Sequence, residues 1–251
     1  MPHDFSNKTA VVTGGSRGIG RAIAKQLAAY GARVCINYRA SQELAEQVVA
    51  EISQAGAQAI AVQADVSDQT QAQRLIAEAQ QQLGPVDFLI NNAGIFDVVA
   101  HDEFDEQLWQ RTMKLNVDGV FYCTWAVKDA MVERGYGRIV NLASIAGLEA
   151  KPYSIAYATS KAAVVGFTRS LGQALAPENV RVNAVAPGLI DTEILHGVDP
   201  ALLEKLIELT PAKRIGQVEE VANLVSFLLS DESDFIVGQT MVVSGGRVNL
   251  P

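Results

Sequence analysis

Tyr157 and Lys161 stand at i and i+4, so on a helix their side chains share a face. A free tyrosine titrates near ~10 and transfers protons poorly at neutral pH. A neighbouring ammonium favours the phenolate and brings such a group towards working range. Ser144 follows the apolar run Gly137–Leu142, from which its hydroxyl can hydrogen-bond a carbonyl oxygen. Phenol, ammonium and hydroxyl around a carbonyl are the parts of a proton-transfer site. Each also has a plainer reading: a helix-surface Tyr and Lys, a capping Ser144, and an Asn116 that merely breaks a long helix.

A second stretch, Thr13–Gly20 (TGGSRGIG), closes the apolar run Ala10, Val11, Val12 and opens a helical pattern at Ile19, Ile23 and Leu27. Apolar strand, glycine turn and amphipathic helix suit a nucleotide diphosphate. Glycines let the backbone approach the phosphates, and the free N–H groups of the helix start point at them. The spacing is Gly14-x-x-x-Gly18-x-Gly20, not the G-x-G-x-x-G of the common dinucleotide fingerprint. A P-loop is excluded, because Arg21-Ala22 stand where Lys-Ser/Thr is required.

These residues need a scaffold, and strand-like runs alternate with helical ones along the whole chain. Strands are expected at Ala32–Ile36, Ala57–Val62, Val86–Ile90, Gly137–Leu142, Val180–Val185 and Gln239–Val243. Helices are expected over Ser41–Ala55, Ser67–Leu83 with a Ser67-Asp68 cap, Ser154–Leu175, Pro200–Leu209 and Val218–Leu229. A long helical stretch from Phe104 to Arg134 is interrupted near Lys114–Asn116. Continuous apolar strands bracketed by helices predict an α/β fold: a Rossmann-type, doubly wound parallel sheet covered on both faces. Ligands in such sheets sit at the C-terminal ends of the strands. Every candidate residue follows a strand or lies on the next helix.

The 251 residues suffice for one such domain, 1–251, without repeat or linker. Net charge is −8 with no basic tract, which argues against nucleic acid and anionic membranes as partners. Cys35 and Cys123 both lie in apolar runs and read as buried thiols of a reducing compartment rather than a disulfide or a metal site. His3, His101 and His196 are scattered, so no metal is expected. Met1–Lys8 is polar and no run approaches membrane-spanning length, so a cytoplasmic location is expected.

TGGSRGIG, Asp65, Asn91–Gly94 (NNAG), Asn116, Ser144, Tyr157-x-x-x-Lys161 and Pro187-Gly188 resemble, in order and spacing, the short-chain dehydrogenase/reductase family. The resemblance runs from about Lys8 to Gly246. It implies a nicotinamide cofactor and a catalytic set of Asn116, Ser144, Tyr157 and Lys161. Ser144 would orient the substrate oxygen and Tyr157 transfer the proton. Lys161 would also hold the nicotinamide ribose, and Asn116 would fix a proton-relaying water. Gly14, Ser16, Arg17, Gly18, Ile19 and Gly20 would cradle the diphosphate. Asp65 and Val66 would flank the adenine, and Asn91, Ala93 and Gly94 would line the cofactor floor. Pro187, Gly188, Ile190 and Thr192 would cover the nicotinamide and pyrophosphate.

An NAD site usually carries an acid at the end of the second strand. Here that position reads Asn37-Tyr38-Arg39, and either Arg17 or Arg39 is able to grip a 2′-phosphate. The expectation is NADP(H), with NAD(H) open, since some relatives with a similar NYR stretch accept both.

Residues 191–212 lie where the family places a substrate lid. Ile194, Leu195, Leu202, Leu203 and Leu206 there suit an uncharged or acyl substrate, or an ordinary amphipathic helix packed on the core. The stretch from Pro211 to Ala222 resembles bacterial 3-oxoacyl-thioester reductases. Where carrier-protein reductases present arginines this chain has Asp129 and Gln173, with Lys128 and Arg169 near by, which puts acyl carrier protein in doubt as a partner. The expected activity is reduction of a ketone to a secondary alcohol. The alternatives are a glucose-dehydrogenase-like enzyme oxidising a sugar or small alcohol, and a cofactor-binding sensor without turnover. The resemblance further implies a homotetramer built on the two long helices, where Ala156, Ala158, Ala162, Ala163 and Gly166 permit close approach. The tail Arg247–Pro251 is read either as covering a neighbouring subunit or as disordered.

Overall fold

The computed structural model describes residues 3–193, 195 and 198–248. Ile194 and His196, and the chain ends at Met1 and beyond Val248, lie outside the described residues. The elements follow in the order β1 (Thr9–Val12), α1 (Gly18–Ala29), β2 (Arg33–Tyr38), α2 (Gln42–Gln54), β3 (Ala59–Gln63), α3 (Gln69–Leu83) and β4 (Phe88–Asn91). They continue with α4 (Glu106–Met113), α5 (Gly119–Arg134), β5 (Gly137–Leu142), α6 (Ile155–Leu175), β6 (Val180–Pro187), α7 (Pro200–Glu208), α8 (Val218–Leu229) and β7 (Thr240–Val243).

The seven strands form one parallel sheet in the order β3-β2-β1-β4-β5-β6-β7, so the strand order reverses between β1 and β4. Alternation along each strand assigns the residues to two helix layers. Val12, Ile36 and Ile90 face a core shared with α1, α2 and α8, whereas Val11, Cys35, Leu89 and Ile139 face one shared with α3 and α5. Both faces are covered: Phe88 and Leu89, successive residues on opposite faces, are each fully buried. Each such side chain contributes roughly 1.5–3 kcal/mol relative to exposure.

The interrupted helix takes a definite form. Between α4 and α5 the chain makes a π-helical turn, Lys114–Asp118, and then continues as a helix. Such a bulge widens one turn and frees main-chain groups there. Several helix starts are closed by side chains: Asp68 accepts from the Gln71 N–H on α3, and Asp105 from the Leu108 N–H on α4. A cap of this kind stabilises a helix by about 1 kcal/mol. The start of α1 has none.

Candidate active site

The turn from β1 to α1 is held open by glycines at two places. Gly14 has φ 61° and Gly18 φ 52°, the left-handed region that side chains disfavour. A Cβ on Gly20 would lie 2.4 Å from the Gly14 carbonyl oxygen and 2.5 Å from Asn92 Nδ2, so the chain crosses itself here with no room to spare. Arg17 sits at the helix N-cap without capping it, and the first turn of α1 carries no acidic residue. The first-turn N–H groups and the positive end of the helix dipole are therefore left to an anion. The donor set and the absence of a Cβ fit the diphosphate of a dinucleotide.

Asn92 fastens this turn. Its Nδ2 donates to the carbonyls of Thr13 (2.9 Å) and Gly14 (3.0 Å), and the Thr13 hydroxyl oxygen accepts from the Asn92 and Ala93 N–H groups. Sequence reasoning passed over both Thr13 and Asn92. Their signal was position alone, in the two turns that flank the reversal of strand order.

The catalytic candidates converge just beyond β4 and β5. Ser144 follows β5, and its Oγ accepts from the Ala146 N–H at 3.1 Å, which orients the hydroxyl at the mouth of a short 3₁₀ turn. Tyr157 opens α6 one turn before Lys161, whose Nζ lies 5.7 Å from the centre of the Tyr157 ring. That ammonium donates to the Leu142 carbonyl at 2.6 Å and is buried, which pulls its pKa down to about 8. Burial also pushes the Tyr157 phenol up, against a smaller opposing contribution from Ser144. This reverses the expected direction. Desolvation disfavours both the phenolate and the ammonium.

Asn116 lies in the π turn, fully buried. Its Oδ1 accepts from the Ile95 N–H (2.9 Å), and its Nδ2 donates to the Ile95 carbonyl (2.9 Å) and to Ser160 Oγ (3.0 Å). The side chain is thus fully used within the protein, which leaves only its main chain to hold a water. Gly94 closes the group: a Cβ there would lie 3.1 Å from Asn116 Oδ1 and 3.7 Å from Lys161 Nζ.

Residues 8–202 match the family model for short chain dehydrogenase. The chain belongs to the short-chain dehydrogenase family. It is 41% identical over 240 residues to the 3-oxoacyl-[acyl-carrier-protein] reductase FabG of Staphylococcus epidermidis, covering 96% of this chain and 98% of that one. It is 42% identical over 242 residues to the 3-oxoacyl-[acyl-carrier-protein] reductase of Synechocystis sp., covering 96% and 97%. Among solved structures, a double mutant of a Serratia marcescens short-chain dehydrogenase/reductase superposes with a TM-score of 0.92 at 35% identity, covering 98% of this chain and 99% of that one.

On the cofactor side of this dehydrogenase, several of the expected residues turn their side chains into the protein. Asn37 turns inward: its Oδ1 accepts from the Gly14 N–H (3.2 Å) and its Nδ2 donates to the Ala64 carbonyl (2.9 Å). Tyr38 is buried in the α1–α2 core, and Val66 in the opposite one. Asn91 offers no side chain to a cofactor floor, because its Nδ2 reaches under the sheet to Asn141 Oδ1 (2.9 Å) and Thr124. Ile190 is buried, and its backbone pairs with Gly216. Pro187 is also buried, within β6, and Gly188 packs against Ser244, which follows β7. Ser16 is buried in the glycine turn and Ile19 packs on the α1 core.

The residues that do face outward form a rim. Arg17 and Arg39 are exposed, and Arg39 lies 3.9 Å from Asp65. Asp65 Oδ1 accepts from both the N–H and the hydroxyl of Ser67. Thr192 Cγ2 lies 3.4 Å from where a Gly18 Cβ would be, so the segment after β6 arches over the glycine turn. Beyond it, α7 buries none of its side chains, and Leu202 remains 50% exposed. Leu203, Leu206 and Ile207 are half-buried along one face, which suits a packed amphipathic helix as well as a substrate lid. Phe96, 43% exposed, meets the Tyr157 ring edge-on at 4.8 Å between centroids and supplies an apolar wall that the sequence did not announce.

Proposed function

We propose that this dehydrogenase is an NADPH-dependent ketoreductase that converts a 3-oxoacyl thioester to its secondary alcohol. The observation that carries the reading is the convergence of Tyr157, Ser144 and Lys161 beside an uncapped, acid-free helix start. The relatives named as 3-oxoacyl reductases support the substrate class. The Gly14–Gly20 turn and Thr192 would hold the cofactor's diphosphate, Asp65 its adenine side and Lys161 its nicotinamide ribose. When bound, the cofactor supplies the hydride for the carbonyl carbon. Ser144 hydrogen-bonds the carbonyl oxygen and Tyr157 gives that oxygen its phenolic proton. A phenol pushed up by burial is held protonated, as a donor must be.

NADPH rather than NADH follows from charge. No carboxylate projects from Asn37–Arg39, and Arg17 and Arg39 stand exposed on the same rim. We further propose a cytoplasmic homotetramer. Cys35 and Cys123 are buried free thiols, each pushed up to about 12, which suits a reducing compartment. Phe121 and Trp125 on α5 stack at 4.3 Å between centroids, Trp125 stays 43% exposed, and Gly166 on α6 has open space above it. Such an aromatic face suits a second copy of the chain.

Initial rates of NADPH and NADH oxidation with acetoacetyl-CoA test the reading. NADPH-dependent turnover that falls about 10²–10⁴-fold in Tyr157→Phe supports it. Unchanged turnover in that variant removes Tyr157 as the donor. Faster oxidation of sugars or small alcohols than reduction of the thioester would turn the reading to the oxidative alternative.

A further inference from the structure

Ser160 is buried to zero exposure one residue before Lys161. Its hydroxyl donates to the Tyr157 carbonyl at 2.7 Å and accepts from Asn116 Nδ2 at 3.0 Å. The Asn116 side chain is in turn clamped on both main-chain polar groups of Ile95. An unbroken chain of hydrogen bonds therefore runs from the loop that carries Phe96, through the π turn, to the main chain of the catalytic tyrosine. In the same helical turn, Lys161 is tied to the Leu142 carbonyl of β5. Adjacent residues thus tie one turn of α6 to two different elements, the π turn and β5, and Tyr157 lies one turn before Lys161.

We propose that Ser160 is a positioning residue for Tyr157: it fixes the roll of α6 so that the phenol faces the carbonyl shared with Ser144. The proposal rests on the assignment of Tyr157 as proton donor. A helix needs no such hydroxyl to form, since a serine here only duplicates the acceptance of a main-chain carbonyl already within the helix. Its specific contribution is the bond to Asn116, which joins α6 to the π turn. An error of about 1 Å in donor placement costs on the order of a hundred-fold in rate, whereas cofactor affinity resides mostly in the glycine turn some distance away. The effect of losing Ser160 is therefore predicted on kcat and not on KM.

The experiment compares the natural chain with Ser160→Ala, Ser160→Thr and Tyr157→Phe on a panel of acetoacetyl-CoA, small ketones and, in reverse, secondary alcohols. Ser160→Ala is expected to lower kcat roughly ten- to hundred-fold with KM for cofactor and carbonyl within about two-fold. Ser160→Thr, which keeps the hydroxyl, is expected to recover most of that loss. A second readout is independent of turnover: in chains labelled with ¹³C at tyrosine Cζ, the Tyr157 resonance, assigned by its loss in Tyr157→Phe, shifts or broadens in Ser160→Ala alone. Natural kcat and an unmoved resonance in Ser160→Ala, beside an inactive Tyr157→Phe, overturn the proposal. So does a loss of kcat that Ser160→Thr fails to recover. Full activity in Tyr157→Phe would instead overturn the reading on which the proposal rests.

Discussion

Lys161 Nζ donates to the Leu142 main-chain carbonyl at 2.6 Å, and this buried contact holds the ammonium 5.7 Å from the centre of the Tyr157 ring. A strand carbonyl, not the phenol, is its partner. The charge is present because the fold positions an acceptor for it, yet it is costly because water is excluded.

That cost is measurable. Burial lowers Lys161 to about 8, against ~10.4 for free lysine. Between those values the unfolded chain binds more protons than the folded one, so stability rises with pH across the window. Below it both states are charged and the full penalty is present; above it neither is. Urea unfolding of the natural chain and Lys161→Met, between about pH 7 and pH 10, should show the natural chain gaining on the order of 3 kcal/mol relative to the variant. Tyr157 is present in both chains, so its titration cancels from the comparison. Parallel stability profiles for the two chains would show that the ammonium is not desolvated.

Cofactor choice separates Arg39 from Asn37. Arg39→Ala removes an exposed guanidinium and should raise KM for NADPH roughly ten-fold, with KM for NADH little changed. Asn37→Asp should not create an NAD enzyme. The new carboxylate oxygen would face the Ala64 carbonyl, where Nδ2 now donates at 2.9 Å, so the variant should lose about 1–3 kcal/mol of stability. Thermal melts and the ratio of kcat/KM for the two cofactors decide this. A stable Asn37→Asp chain that prefers NADH would sink the assignment.

The same residues show what the sequence disclosed and what it hid. Apolar runs marked every strand of the sheet, and the interruption near Lys114–Asn116 marked the π turn, because burial on both faces and a broken helical period are properties of residue type. The apolar run of the second strand stopped at Ile36, however, whereas the strand continues to Tyr38. Those extra residues carry Asn37 inward to Gly14 and Ala64 and seat Tyr38 in the core. Asn91 likewise ends β4, and the pleat turns its amide under the sheet. Desolvation of Tyr157 depends on neighbours distant in the chain, so a charged residue one turn away predicted the wrong direction.

The glycine turn offers a contrast between two substitutions of the same kind. In Gly20→Ala the new methyl would meet the Gly14 carbonyl at 2.4 Å and Asn92 Nδ2 at 2.5 Å. Backbone must move, at about 1–3 kcal/mol, and the anion cradle moves with it. In Gly166→Ala nothing of the same protomer lies within 4 Å, and, provided the second copy proposed for this face leaves room for a methyl, the helix interior gains about 1 kcal/mol of propensity. Melting temperatures should therefore shift in opposite directions, and only Gly20→Ala should lose binding of NADPH by fluorescence titration. Equal binding by both variants would remove the turn from the cofactor site.

If the substrate is a 3-oxoacyl thioester as proposed, charge beside the aromatic face of α5 bears on which carrier it arrives on. Lys128 is drawn to Asp129 and lies 5.0 Å from the centre of the Trp125 ring, so its side chain is only 18% exposed. An acidic carrier protein thus meets a compensated lysine and an 82% exposed carboxylate rather than a free cation. Asp129→Ala should release Lys128 and raise kcat/KM for an acetoacetyl carrier protein several-fold, an effect that fades with added salt as the Debye length falls below ~10 Å. The CoA thioester, which lacks the carrier's acidic helix, should respond much less. Equal gains on both thioesters, or no salt dependence, would show that Asp129 acts on the active site and not on docking.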